Sequence, residues 1–102
     1  GVKRPWEERK AEMLEQLRQA SIEAVAVKAA DTLHSTRTLA NDLRREGPAV
    51  WRNFSRGPGP SLQYYQSVAD LVRERLGDHP LAAELEGSVK DLEQAIALTG
   101  YN

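Results

Sequence analysis

The chain has 102 residues, of which 40% are hydrophobic and 28% charged, with a net charge of -1 and no cysteine. That is enough for one domain, and the charge balance excludes an electrostatic case for nucleic acid or for an anionic membrane surface as partner. The missing thiols exclude disulfides and thiolate metal sites and fit a cytoplasmic setting.

No run of roughly 18 apolar residues is present, so no membrane span is expected. The start, Gly1-Val2-Lys3-Arg4, is basic but has no apolar segment behind it, so it does not read as a signal peptide. It lacks an initiator Met, the beginning expected of a processed product or a fragment.

Pro5-Trp6-Glu7-Glu8-Arg9 reads as a helix start, because proline suits the first turn and acids suit the positive end of the helix dipole. The helix is expected to run to about Ala20, with Trp6, Met13, Leu14 and Leu17 inward and Glu7, Glu8, Arg9, Lys10, Glu12 and Glu15 on a solvated face. Ser21 is the expected N-cap of the next helix.

That next helix, from Ser21 to Gly47, is the longest helical pattern in the chain. At about 100° per residue, Ile22, Val25, Ala26, Ala29, Leu33, Thr36, Ala40 and Leu43 share one face. Asp31, Ser35, Thr38 and Asp42 recur at i, i+4, i+7 and i+11 and form a polar stripe on the other side. Val27, Ala30 and Leu39 flank the stripe with apolar groups. A surface helix would carry long charged residues there, so this one is expected to be an inner helix. Its second face would then be covered by a second copy or by a further portion of the same domain.

Gly47-Pro48 ends the long helix. Ala49-Val50-Trp51-Arg52-Asn53-Phe54 reads as one or two helical turns that press Trp51 and Phe54 onto the core. Ser55 to Pro60, with two Gly-Pro pairs, reads as a loop. Ser61 is the expected cap of a helix over about Leu62 to Leu76, with Leu62, Tyr65, Val68, Ala69, Val72 and Leu76 inward. Gly77-Asp78-His79-Pro80 breaks that helix, and His79 is expected to cap or to be exposed. The last helix, from about Pro80 to Leu98, carries Leu81, Leu85, Val89, Leu92 and Ile96 at heptad-like spacing. No segment alternates as a strand does. The expected fold is therefore all-α: a single domain of four main helices plus a short one.

Asp31 has two readings. It is an acid paired with Lys28 or Arg37 or partly exposed, or it is a carboxylate ligand for a hard or borderline divalent metal, since burying an acid is costly without a partner. His34, at i+3, lies about 60° round the helix and approaches the same region. Ser35 and Thr38 either bond back to the preceding helical turn or contact a phosphate or sugar. Neither has an adjacent base, so a nucleophilic serine is not expected. Gly57-Pro58-Gly59-Pro60 lacks the amides a phosphate-binding loop needs. Tyr64-Tyr65 and Trp51 read as core and rim residues, because no basic residues are interleaved with them.

The segment Val27-Lys28-Ala29-Ala30-Asp31-Thr32-Leu33-His34-Ser35-Thr36-Arg37-Thr38-Leu39 resembles the K-x-A-D-x-L-H-N-x-R-T-L stretch of HD-domain metal phosphohydrolases, in the branch of the (p)ppGpp hydrolases. Flanking segments add to the resemblance. Pro5 to Lys10 is similar to a P-W-x-E-R-K helix start, and Asp42 to Gly47, Val50 to Phe54 and Tyr64-Tyr65 are similar to the stretches that follow in that family. The resemblance implies an all-α bundle whose site holds a divalent metal, often manganese, through His…His-Asp…Asp. It implies that Asp31 is the last metal ligand and that Thr38 and Ser35 contact a nucleotide substrate, with Ser35 standing where the family usually has Asn. The first His and the His-Asp pair would fall before Pro5, where this sequence has neither. The chain is thus expected to correspond to the C-terminal part of an HD domain and, alone, to bind no metal and hydrolyse nothing efficiently. A non-catalytic helical module is the alternative, with self-association through the Asp31 helix or another partner on that face.

Overall fold

The computed structural model describes residues 5–99. Four α-helices and one short 3-10 segment make up the described chain, and no strand occurs among the described residues. The all-α expectation holds.

Helix α1 spans Trp6–Gln19, with Glu7 and Glu8 in its first turn and Arg18 in its last, both favourable to the helix dipole. Leu17 is its one fully buried residue, whereas Trp6, Met13 and Leu14 are half-buried. The expected inward face is present but shallow. Lys10, expected on the solvated face, is instead half-buried, with its ammonium 4.6 Å from the Tyr64 ring centre.

Helix α2 spans Ile22–Glu46, and the Ser21 hydroxyl accepts from the Ala24 amide at 3.1 Å, so the predicted cap forms. Its buried side is Val25, Ala29, Thr32, Leu33, Thr36, Leu39, Ala40 and Leu43. Two expected positions differ. Ile22, the first residue of the helix, is 50% exposed, and Leu39 lies in the core. Gly47 closes the helix with φ +73°, a backbone region that favours glycine.

The 3-10 segment Gly47–Asn53 follows, and it buries Val50 and Trp51. Helix α3 spans Pro58–Leu76, which corrects the loop expected over Ser55 to Pro60. Pro58 and Pro60 enter the first helical turn, where their missing amides have no intrahelical acceptor to lose. Ser61 consequently lies inside the helix, buried, instead of capping it. The helix is also rotated slightly from expectation: Ser61, Tyr64, Val68, Ala69, Leu71 and Val72 are buried, while Leu62, Tyr65 and Leu76 are only half so.

Gly77 ends α3 with φ +59°. Helix α4 spans Pro80–Leu98, and the His79 Nδ1 accepts from the Leu81 amide at 3.1 Å, so His79 is an N-cap.

The long helix α2 packs on both α3 and α4, α3 packs on α4, and α1 packs on α3. One core cluster joins Leu17, Val25, Ala29, Leu33, Val68, Val72, Leu85 and neighbours, and a second joins Leu39, Ala40, Leu43, Trp51, Leu92 and Ala95. The bundle is a slab with Cα extents of 39 × 37 × 16 Å. At a helix spacing of roughly 8–10 Å, the thin dimension holds about two layers of helices. Helix α2 therefore has a packed side and an open side, and the polar stripe lies on the open one. Among the described residues, no helix is long and apolar enough to cross a membrane.

Candidate functional site

Asp31, Ser35 and Thr38 are exposed on the open side of α2, and Asp42 is half-buried. The three later residues converge. Ser35, Thr38 and Asp42 line a concavity of about 290 Å³ together with His34, Leu39, Phe54 and Tyr65. Asp31 is one helical turn before Ser35 and stands outside that lining.

Helix α2 supplies one wall at i, i+1, i+4, i+5 and i+8 from His34, the spacing of a single helix face. The opposite wall is Phe54 and Tyr65, which come from the segment after the 3-10 turns and from α3. Phe54 is a correction to its expected core position. It is 38% exposed, whereas Trp51 is 6% exposed. The two rings meet edge-on at 5.1 Å between centres, with Trp51 on the core side, so Phe54 is left at the rim of the cleft. Tyr65 packs 5.7 Å from Tyr64, and burial pushes its phenol above the usual tyrosine value. Its hydroxyl, protonated at neutral pH as tyrosine ordinarily is, can both donate and accept.

At the far end, the Asp42 carboxylate accepts from Arg45 at 2.6 Å, and the same guanidinium contacts Glu46 at 3.2 Å. The acid nearest the cleft thus enters it already partnered. Lys28 lies one turn before Asp31, and Lys10 sits close enough for mutual repulsion; burial first, then Lys28 and Arg9, hold the Lys10 ammonium below the usual lysine value.

Among the described residues, no three His, Cys, Asp or Glu side chains are grouped so as to hold a metal ion. Asp31 by itself does not fit a divalent ion, which needs several ligands to fix its geometry. The cleft has other capacities. It offers hydroxyls from Ser35, Thr38 and Tyr65, an imidazole from His34 and two aromatic surfaces, the donor set of a small polar ligand with one flat apolar part. A groove between α3 and α4 is larger, about 390 Å³, and is lined by Gln66, Asp70, Glu86, Lys90 and Glu93. There both Glu86 oxygens are engaged by Arg73 at 2.7 and 2.9 Å, which makes that groove part of the α3–α4 packing.

No protein-family model matches this chain, and no curated protein matches it.

The α2 half of the cleft was readable from helical spacing. The Phe54 and Tyr65 half was not. No local signal marks it: i, i+3 spacing on a 3-10 turn puts Trp51 and Phe54 on one side, and Phe54 departs from that because it leaves the turn in an extended conformation.

Proposed function

We propose that this chain forms the substrate-binding part of an HD-type metal-dependent phosphohydrolase that acts on a nucleotide phosphate or pyrophosphate. The reading rests on one observation: Ser35 and Thr38, the residues that the family resemblance assigns to the substrate, share a cleft with an aromatic wall. In this reading the hydroxyls of Ser35 and Thr38 donate to phosphate or sugar oxygens, and Phe54 and Tyr65 offer flat surfaces to the base. Asp31, one turn away, is one carboxylate of a metal site whose other ligands come from outside the described residues. The 102 residues alone hydrolyse nothing efficiently, since a single carboxylate neither holds the ion nor tunes a bound water.

Amide chemical shifts under titration with a guanosine or adenosine diphosphate test the reading. The expected result is a set of shifts confined to His34, Ser35, Thr38, Phe54 and Tyr65 and lost in Thr38→Ala. Unmoved resonances at those positions reject it. Calorimetry with Mn²⁺ is expected to show no micromolar site. A tight site that vanishes in Asp31→Ala would mean that copies of the chain assemble ligands between them.

The second reading is a non-catalytic helical module. It is favoured by exposed apolar groups at the N-terminal end of α2: Val27, beside the polar stripe, is 70% exposed, and Ile22, on the other side of the helix, is 50% exposed. Concentration-dependent shifts at Ile22 and Val27, with none on adding nucleotide, would select it.

A further inference from the structure

From Trp6 to Glu46 the sequence contains no glycine and no proline. Yet the chain bends between Gln19 and Ile22, and α1 and α2 pack as separate helices. Nothing in the covalent backbone forces that bend. Ala20, at φ -72° and ψ 161°, and Ser21, at φ -65° and ψ 160°, are extended residues without strain. Ala20 is among the strongest helix formers.

Two side chains hold the bend. The Ser21 hydroxyl takes the Ala24 amide at 3.1 Å. The Arg75 guanidinium, from α3, donates to the carbonyl oxygens of Leu17, Arg18 and Ala20 at 2.8, 2.7 and 2.7 Å. A helix running without interruption from α1 into α2 would pair those same three carbonyls with the amides of Ser21, Ile22 and Ala24. Arg75 and the continuous helix therefore compete for one set of acceptors.

The docking of α1 is separable from the rest of the bundle. Its full burial is limited to Leu17. Its other ties lead to α3 and the residues just before it. Trp6 meets Tyr64 edge-on at 6.3 Å, and Glu7 accepts from Arg56 at 2.8 and 2.9 Å. A straight helix over residues 6–46 would be roughly 60 Å long, which carries Trp6 and Leu17 out of reach of their own α3. A second straight copy vacates the identical surface, so two copies can seat each other's α1 with the contacts that one copy makes internally, apart from those of Arg75.

We propose that the α1–α2 junction is a two-state hinge, in which Arg75 selects the bent form, and that the straight form seats α1 on α3 of a second copy of this chain. Arg75 is in this sense a latch: removing it frees three carbonyls for the continuous helix and takes nothing from the exchanged contacts.

Light scattering, circular dichroism and amide hydrogen exchange on the full chain test this. Arg75→Ala is expected to lower the dimer dissociation constant at least about tenfold, since hydrogen bonds from a charged donor bias an equilibrium by a decade or more. Helical content should rise with it. Ser21→Ala, an exposed position, should move the chain the same way and carries the test if Arg75→Ala fails to fold. Ser21→Pro locks the bend, because proline matches the φ of Ser21 and favours the extended Ala20 before it. In the Arg75→Ala background it should return the protein to monomer. A monomeric Ser21→Ala protein whose α1 amides exchange no faster than wild type overturns the proposal, as does a dimer that persists in the Ser21→Pro, Arg75→Ala double variant.

Discussion

The hydroxyl oxygens of Thr36 and Ser88 lie 2.7 Å apart, buried where α2 crosses α4. Thr36 also donates to the Leu33 carbonyl at 3.1 Å, so the proton between the two hydroxyls belongs to Ser88. Each side chain therefore depends on the other unequally. Thr36→Val leaves the Ser88 donor buried without its acceptor and should cost about 1–3 kcal/mol, whereas Ser88→Ala should cost about 0.5–1.5 kcal/mol because Thr36 keeps Leu33. Urea denaturation of the two single variants and the double variant checks this. The double variant should be no less stable than Thr36→Val alone.

Two glycines close helices with positive φ, Gly47 at +73° and Gly77 at +59°. An added Cβ meets nothing within 4 Å at either position. The cost of alanine there is conformational alone, about 1–3 kcal/mol at each site. Thermal unfolding of Gly47→Ala and Gly77→Ala measures it. A loss near zero would show that the helix ends relax without the glycine geometry.

Three ion pairs tie distant segments, and their carboxylates should set the acid limb of stability. Arg56, Arg73 and Arg44 hold Glu7, Glu86 and Asp91, respectively, below the usual carboxylate range. A carboxyl depressed in the folded state contributes stability that is fully present above its unfolded value and lost as pH falls through its folded one. The melting temperature should therefore be flat from neutral pH to about pH 5 and fall below about pH 4. Arg73→Met should flatten part of that fall by lowering the melting temperature at neutral pH and not at low pH, and by a small amount because exposed pairs contribute little.

The polar stripe should be dispensable for folding. Asp31, Ser35 and Thr38 are exposed on the open side of α2. Asp31→Asn, Ser35→Ala and Thr38→Ala should each change unfolding free energy by no more than about 0.5 kcal/mol, the range of surface substitutions. Denaturant unfolding measures this directly. A larger loss at any of the three would mean that the residue serves the bundle and is not free for a ligand.

The cap at Ser21, the stop at Gly47 and the core stripe of α2 from Val25 to Leu43 were legible in the sequence, because they depend on local chemistry and helical period. The start of α3 was not. Gly57-Pro58-Gly59-Pro60 has the composition of a loop, and only its place after the buried Trp51 turn makes it a first helical turn. The site was half legible for the same reason. Ser35, Thr38 and Asp42 share a face by period alone, but Phe54 and Tyr65 reach them through packing between segments far apart in the chain.

The sequence by itself determined an all-α chain, the order of its helices and the presence of a polar stripe around Asp31, since period, caps and breakers act within a few residues. The tertiary structure decided which side of α2 is covered, which aromatic ring turns outward and what holds the bend between α1 and α2. Those outcomes depend on how buried area and hydrogen-bond acceptors are shared between distant segments. The bend at Ala20 and Ser21 is the clearest case: the Ser21 cap marks it in the sequence, but the Arg75 guanidinium that takes the carbonyls before it is supplied from α3.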